Sequence, residues 1–110
     1  MSAEIKGEAQ YRPAIDLIRT QGLHRMGLHA SWAWYDDPKR MAFSLSRYKF
    51  VSKMMEGYKN VLECGCADGF ASRIVAQSVG NLSALDFDQE FIDSARETAS
   101  GGKWPITFFQ

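Results

Sequence analysis

The sequence has few of the features that mark secreted, membrane-spanning or nucleic-acid-binding proteins. It contains only two cysteines in 110 residues, and thirteen basic residues balance thirteen acidic ones. No apolar run approaches the ~18 residues of a transmembrane helix, and the N-terminal MSAEIKGEAQ lacks the apolar segment of a secretory signal. These absences predict a cytoplasmic protein with free thiols, no membrane association and no general attraction to nucleic acid.

The cysteines and histidines do not form a metal-binding pattern. Cys64 and Cys66 make a C-x-C sequence, but no second Cys or His pair follows at the spacing of a zinc site. We therefore expect no bound metal. The interpretation of the pair is that Cys64 is a small core residue and Cys66 a loop residue.

The hydrophobic periodicity predicts an α/β fold with the element order helix–β–α–β–α–β. Residues 1–36 form a lead-in that is partly helical, and residues 37–110 form the α/β unit. A helix is expected to begin at Asp37-Pro38, which suit the N-cap and the first helical position. Strands alternating with helices indicate the N-terminal half of a doubly wound parallel sheet with helices on both faces. The apolar helix stripe is Met41, Leu45, Tyr48, Val51 and Met55, and the predicted strands are 61–64, 82–87 and 106–109.

Three aromatic residues lie just before the Asp37-Pro38 helix start. Trp32, Trp34 and Tyr35 are consistent with two roles, a lid over a ligand or an anchor for the N-terminal segment. The sequence favours neither.

The stretch VLECGCADGF, residues 61–70, joins a buried strand to a glycine-spaced turn. In parallel sheets ligands bind beyond the carboxyl ends of the strands, where such a turn leads into a helix N-terminus. Glycine at Gly65 and Gly69 lets a ligand approach the backbone. Asp86 follows about 20 residues later at the end of the next strand, where dinucleotide-type folds place a ribose-hydroxyl acceptor. The pattern favours a nucleoside-containing cofactor over a simple structural turn.

The spacing argues against a nicotinamide cofactor. A G-x-G-x-x-G fingerprint counted from Gly65 places its last glycine at Phe70, whose ring would crowd helix–strand packing. A non-catalytic module that keeps the fold as a binding partner is the other alternative.

The two motifs together resemble motif I and the following acidic motif of class I S-adenosylmethionine-dependent methyltransferases. VLECGCADGF and SALDFDQEFIDSARE carry the resemblance, which covers roughly residues 40–110. It implies S-adenosylmethionine as the cofactor, with Asp86 on the ribose and Phe87 beside the adenine. Ala67 stands where the family has its middle glycine. The implied cofactor-binding residues are Glu63, Gly65, Cys66, Ala67, Asp68, Gly69, Asp86 and Phe87. The charges of this cofactor need partners as well: Glu63, Asp68 or exposed backbone carbonyls are the candidates for its ammonium, and Arg47 on the preceding helix is the candidate for its carboxylate.

The resemblance also implies a seven-stranded sheet, of which only three strands can be counted here. The sequence is therefore expected to be the N-terminal portion of a longer protein or half of a split one, inactive as a methyltransferase by itself. Its first strand would be an open sheet edge, available to a second copy or another polypeptide. The neutral charge favours a small molecule or sugar as the methyl acceptor.

Overall fold

A computed structural model describes residues 8–99 and 102–110. The predicted order of helices and strands is confirmed within these residues. Residues 1–7 of the lead-in and residues 100–101 lie outside them. After a short 3-10 turn (Ala9–Tyr11) the elements are α1 (Arg12–Gln21), α2 (Leu28–Asp36), α3 (Pro38–Met54), β1 (Asn60–Cys64), α4 (Ser72–Ala76), β2 (Asn81–Leu85), α5 (Gln89–Ala99) and β3 (Ile106–Phe109).

The three strands form one parallel sheet in the order β1-β2-β3. Val61 lies opposite Leu82, and Leu82 lies opposite Ile106, so the carboxyl ends of all three strands meet at one edge. Among the described residues β1 pairs only with β2, which confirms that the first strand is an open edge.

The core lies on one face of this sheet. Ala84 and Phe108 pack with Ile92 and Ala95 of α5, whereas Leu82 packs with α4. Because parallel-strand partners point to the same side, both clusters cover the same face. The expectation of helices on both faces is therefore not met by the described residues. The opposite face carries exposed or half-buried residues: Leu62, Cys64, Ser83, Leu85, Thr107 and Phe109.

Short local signals set the helix starts. As predicted, Asp37 accepts a hydrogen bond from the Lys39 N–H (3.1 Å) at the start of α3. Asp88 likewise accepts one from the Glu90 N–H (2.9 Å) at the start of α5. Helix α4 is short and ends at Ala76.

The lead-in contributes a helix to the α/β unit. The residues HASWAWYD, which the sequence analysis placed ahead of a helix, are helical in α2 and contact α3 and α5. The buried residues of α2 are Ala30 and Ala33, whereas Trp34 and Tyr35 are exposed, so the small residues provide its packing surface. Among the described residues, no helix combines the length and the hydropathy needed to cross a bilayer.

Candidate functional site

The glycine turn after β1 contains three residues in the left-handed region. Gly65, Ala67 and Gly69 have φ values of +81°, +51° and +68°. The N–H groups of Gly65 and Cys66 both donate to the Leu85 carbonyl, at 2.8 and 2.9 Å, which fixes the turn against the end of β2. The chain therefore folds back over the carboxyl end of the sheet.

Asp86 connects this turn to the adjacent strand end. It is buried, and its Oδ2 accepts the Ala67 N–H at 2.9 Å while its Oδ1 accepts the Asp88 N–H at 3.0 Å. An ionised carboxylate offers about four acceptor positions, so each oxygen retains capacity for another donor. The structure thus brings together the two motifs that the sequence identified separately.

Ala67 adopts a backbone conformation that disfavours side chains. We expect Ala67→Gly to raise the free energy of unfolding by about 1 kcal/mol, because glycine at this positive φ removes the strain of a Cβ. Urea denaturation measures this change. The control is Ala42→Gly: Ala42 is an exposed residue inside helix α3, so the same substitution there should lower stability. Equal effects at the two positions would contradict the assignment of strain to Ala67.

Glu63, at the end of β1, is held by two hydroxyl groups. Tyr48 of α3 donates to its Oε2, and Ser72 of α4 donates to its Oε1. Burial and the neighbouring Glu63 carboxylate raise the pKa of Tyr48, so its hydroxyl stays protonated and keeps donating. Glu63 therefore ties α3 and α4 to the strand end beneath the turn.

The structure reverses the interpretation of the two cysteines. Cys66 is buried in the core cluster with Ala84 and Phe108, whereas Cys64 is exposed on the uncovered face of β1. The left-handed residues on either side of Cys66 turn its side chain inward. Burial, with the nearby Glu63 and Asp86 carboxylates, raises the pKa of the Cys66 thiol to about 11, which keeps it neutral near pH 7. The described residues contain no group of three or more His, Cys, Asp or Glu side chains placed to hold a metal.

Asp68 has a structural partner that the sequence did not indicate. Its side chain is buried, and Oδ2 accepts the Ala30 N–H in the first turn of α2 at 2.8 Å while Oδ1 accepts the Phe70 N–H at 3.0 Å. Asp68 therefore acts as a cap for α2, whose own N-cap residue, Gly27, has no side chain to do so.

Gly65 and Gly69 have different surroundings. A Cβ at Gly65 would meet no atom within 4 Å, so this glycine faces open space. A Cβ at Gly69 would lie 2.4 Å from Cε1 of Phe108, so this glycine allows the turn to pack on β3. Of these two glycines, only Gly65 has open space beside its backbone.

The remaining predicted residues lie at the surface. Phe87 follows Asp86 and is 88% exposed. Arg47 is exposed on α3, with its guanidinium 5.6 Å from the centroid of the Phe43 ring. A cavity of about 100 Å³ lies between α2, α3 and the glycine turn, and Ala67 and Arg40 both line it, but Arg47 does not. Arg40 was not among the predicted residues, since a basic residue in a helix carries no local sequence signal of what it faces.

No protein-family profile and no curated protein matches this sequence. Solved structures do match it. PRMT1 of Trypanosoma brucei, in an enzyme–prozyme heterotetrameric complex with AdoHcy, is 30% identical over 71% of this chain, with a TM-score of 0.54. The N-methyltransferase NodS from Bradyrhizobium japonicum WM9, in complex with S-adenosyl-L-homocysteine, is 23% identical over 76% of this chain, with a TM-score of 0.52.

The chain has a class I methyltransferase-like fold. The glycine turn and Asp86 of this methyltransferase-like fold occupy adjacent strand ends, as the resemblance implied. The chain spans 23% of the length of the matched PRMT1 chain and 42% of that of NodS.

Proposed function

We propose that this chain binds S-adenosylmethionine at the carboxyl ends of β1 and β2 and forms the cofactor-binding part of a methyltransferase. The observation that carries the proposal is the hydrogen bond of 2.9 Å from the Ala67 N–H to Asp86, which joins the glycine turn to the acid of the next strand. The similarity to a structure with AdoHcy, at 30% identity, supports the same cofactor class.

The nucleoside end of the cofactor is assigned to Asp86, Phe87 and Gly65. Asp86 accepts hydrogen bonds from the two ribose hydroxyls with its remaining lone pairs. Phe87, already exposed, packs on the adenine ring. Gly65 lets the ligand contact the backbone, since nothing occupies the space beside it.

The amino-acid end is assigned to residues around the cavity beside Ala67. Asp68 is not proposed for the ammonium group, because its two oxygens are buried against backbone N–H groups. Glu63 keeps this role, although it does not line the cavity, because its carboxylate is only half-buried and each oxygen keeps a lone pair beside the hydroxyl that it accepts. Arg40 replaces Arg47 as the partner of the carboxylate, because Arg40 lines the cavity and Arg47 does not. The ion pair of Arg40 with Asp36 involves one guanidinium nitrogen, which leaves further N–H groups to donate.

When bound, the cofactor supplies an electrophilic methyl group on a sulfonium sulfur. The chain contributes binding and orientation, so that the methyl carbon lies in line with the attacking atom. We propose a small molecule or sugar as acceptor, and the cytoplasm as the compartment.

Isothermal titration of S-adenosylhomocysteine into this chain tests the proposal. We expect saturable binding that Asp86→Asn weakens by about a hundredfold, because the amide loses the charge and one acceptor oxygen, a change of about 2.7 kcal/mol. The matched control is Asp16→Asn, the same chemical change on the exposed surface of α1, which should leave the affinity unchanged.

Two outcomes would reject this assignment. One is a folded wild-type chain that does not bind S-adenosylhomocysteine. The other is tighter binding of NAD in a parallel titration, which would restore the nicotinamide alternative. Circular dichroism of the Asp86→Asn chain separates lost binding from lost folding.

We also propose that the open edge of β1 is covered by another strand, supplied by a second copy when the chain is alone in solution. Leu62 is 56% exposed on the uncovered face beside this edge. An exposed apolar strand with unpaired backbone groups promotes association. In sedimentation velocity, we expect a dimer that Leu62→Lys weakens about tenfold, a loss of ~1.4 kcal/mol.

The control for dimerisation is Leu23→Lys, since Leu23 is also exposed but lies outside the sheet, in the segment after α1. A chain that stays monomeric at every concentration, or equal weakening by both substitutions, would contradict pairing through this edge.

A further inference from the structure

A groove larger than the cavity beside Ala67 lies on the N-terminal half of α3. This basic groove has a volume of about 560 Å³, and its lining includes His29, Lys39, Arg40, Phe43 and Arg47. The cofactor assignment above uses Arg40 from this lining but not Lys39, Phe43 or Arg47.

Lys39, Phe43 and Arg47 form one stripe along the groove. They are spaced four residues apart in α3, so their side chains lie on the same face of the helix. Phe43 is 66% exposed, and the Arg47 guanidinium lies over its ring at 5.6 Å. An exposed aromatic surface is thus flanked by cations at both ends.

The two cations of this stripe form no ion pair within the described residues. The ion pairs there are Arg25–Glu97 and Arg40–Asp36, at 2.9 and 2.6 Å, and neither involves Lys39 or Arg47. The one acid that lines the groove, Asp37, accepts the Lys39 backbone N–H as the helix cap. The groove therefore presents two cations that a ligand can neutralise.

The basic groove adjoins the cavity beside the glycine turn. His29, Arg40 and Ser44 line both spaces. A molecule in the groove would consequently lie next to the proposed position of the methyl donor.

We propose that the basic groove binds an anionic methyl acceptor, with a carboxylate or phosphate on Lys39 and Arg47 and a ring or apolar part on Phe43. Guanidinium and ammonium groups suit both oxyanions, and the exposed ring supplies the apolar contact. This inference rests on the proposed function, since a methyl acceptor requires a methyl donor in the adjacent site.

The test uses small anions as probes and compares variants with the same change of charge. Phenyl phosphate, benzoate and neutral phenol are titrated into the ¹⁵N-labelled chain, and amide shifts are followed by NMR. Lys39→Gln/Arg47→Gln removes the groove cations. Lys49→Gln/Lys53→Gln is the control, because it removes two charges from the same helix outside the groove lining.

We expect phenyl phosphate or benzoate to shift the Phe43 and Arg47 amides saturably, with phenol at least tenfold weaker. The groove variant should lose about tenfold in affinity, whereas the control variant should bind as the wild type does. The preferred anion identifies phosphate or carboxylate as the recognised group.

Equal weakening by both variants, or equal binding of phenol, would overturn the proposal. So would tighter binding of a single-stranded RNA 12-mer, which would assign the groove to nucleic acid.

A parallel titration with S-adenosylhomocysteine separates the proposed function from the acceptor proposal. If the groove variant weakens that ligand as strongly as the anions, Arg47 belongs to the cofactor site and the acceptor assignment fails. If S-adenosylhomocysteine does not bind the wild type but the anions do, the proposed function fails and the groove remains an anion site.

Discussion

Gly69→Ala is expected to lower the free energy of unfolding by about 2–5 kcal/mol. A left-handed alanine costs about 1–2 kcal/mol, and overpacking a core adds about 1–3 kcal/mol. Both costs apply, since Gly69 has φ +68° and its Cβ would lie 2.4 and 2.6 Å from two ring carbons of Phe108. Phe108 is buried between the sheet and α5 and cannot move without disturbing that cluster. Urea denaturation followed by circular dichroism measures the loss, which is a large share of the ~5–15 kcal/mol that stabilises a typical domain.

The control is Gly65→Ala in the same turn. Gly65 also has a positive φ, but its Cβ would meet nothing within 4 Å, so only the conformational cost of about 1–2 kcal/mol applies. The difference between the two variants isolates the contact with Phe108. If Gly69→Ala does not fold, adding Phe108→Leu to it should recover part of the stability, because leucine is shorter than the ring that the new Cβ would meet. Equal losses at Gly65 and Gly69 would show that the contact with Phe108 has no energetic weight.

Asp68→Ala is expected to detach α2 from the glycine turn. The substitution leaves the Ala30 and Phe70 N–H groups without their carboxylate acceptor, and charge-assisted hydrogen bonds of this kind contribute about 1.5–3 kcal/mol each. A loss of ~3 kcal/mol corresponds to about a hundredfold faster amide exchange in α2. Hydrogen exchange followed by NMR measures this at Ala30 and its neighbours in the helix.

Asp37→Ala provides the comparison for Asp68. It removes the cap of α3, which lies directly after α2 in the sequence, at a typical cost of about 0.5–2 kcal/mol. Its effect should be confined to the first turn of α3. The same loss of protection in α2 from both substitutions would mean that Asp68 is not what holds that helix.

The parts of the fold that the sequence could predict depend on short-range patterns. The strand VLEC, the glycine turn and the acid at Asp86 each have a local signature, and the register of β1 with β2 then places them together. The caps at Asp37 and Asp88 are likewise set by neighbouring residues. These features were predictable because their partners are close in sequence or are fixed by the parallel sheet.

The parts that were missed depend on distant contacts. Asp68 caps α2 by accepting the N–H of Ala30, which lies 38 residues earlier, and no local pattern connects the two residues. The reversed burial of Cys64 and Cys66 follows from positive φ angles on both sides of Cys66, which a sequence with Ala67 in place of glycine does not reveal. Likewise, Gly65 and Gly69 look alike in sequence, although only Gly69 packs against a ring.

The double attachment of the glycine turn has a thermodynamic consequence. Asp86 accepts the Ala67 N–H, and Asp68 accepts the Ala30 N–H of α2, so both ends of the turn are held. The turn therefore adopts its left-handed angles during folding. The entropy of ordering the loop is therefore lost before any ligand arrives. A ligand that meets a preorganised backbone keeps more of its interaction energy as affinity. Binding at this site should accordingly proceed with little rearrangement of the main chain between residues 65 and 69.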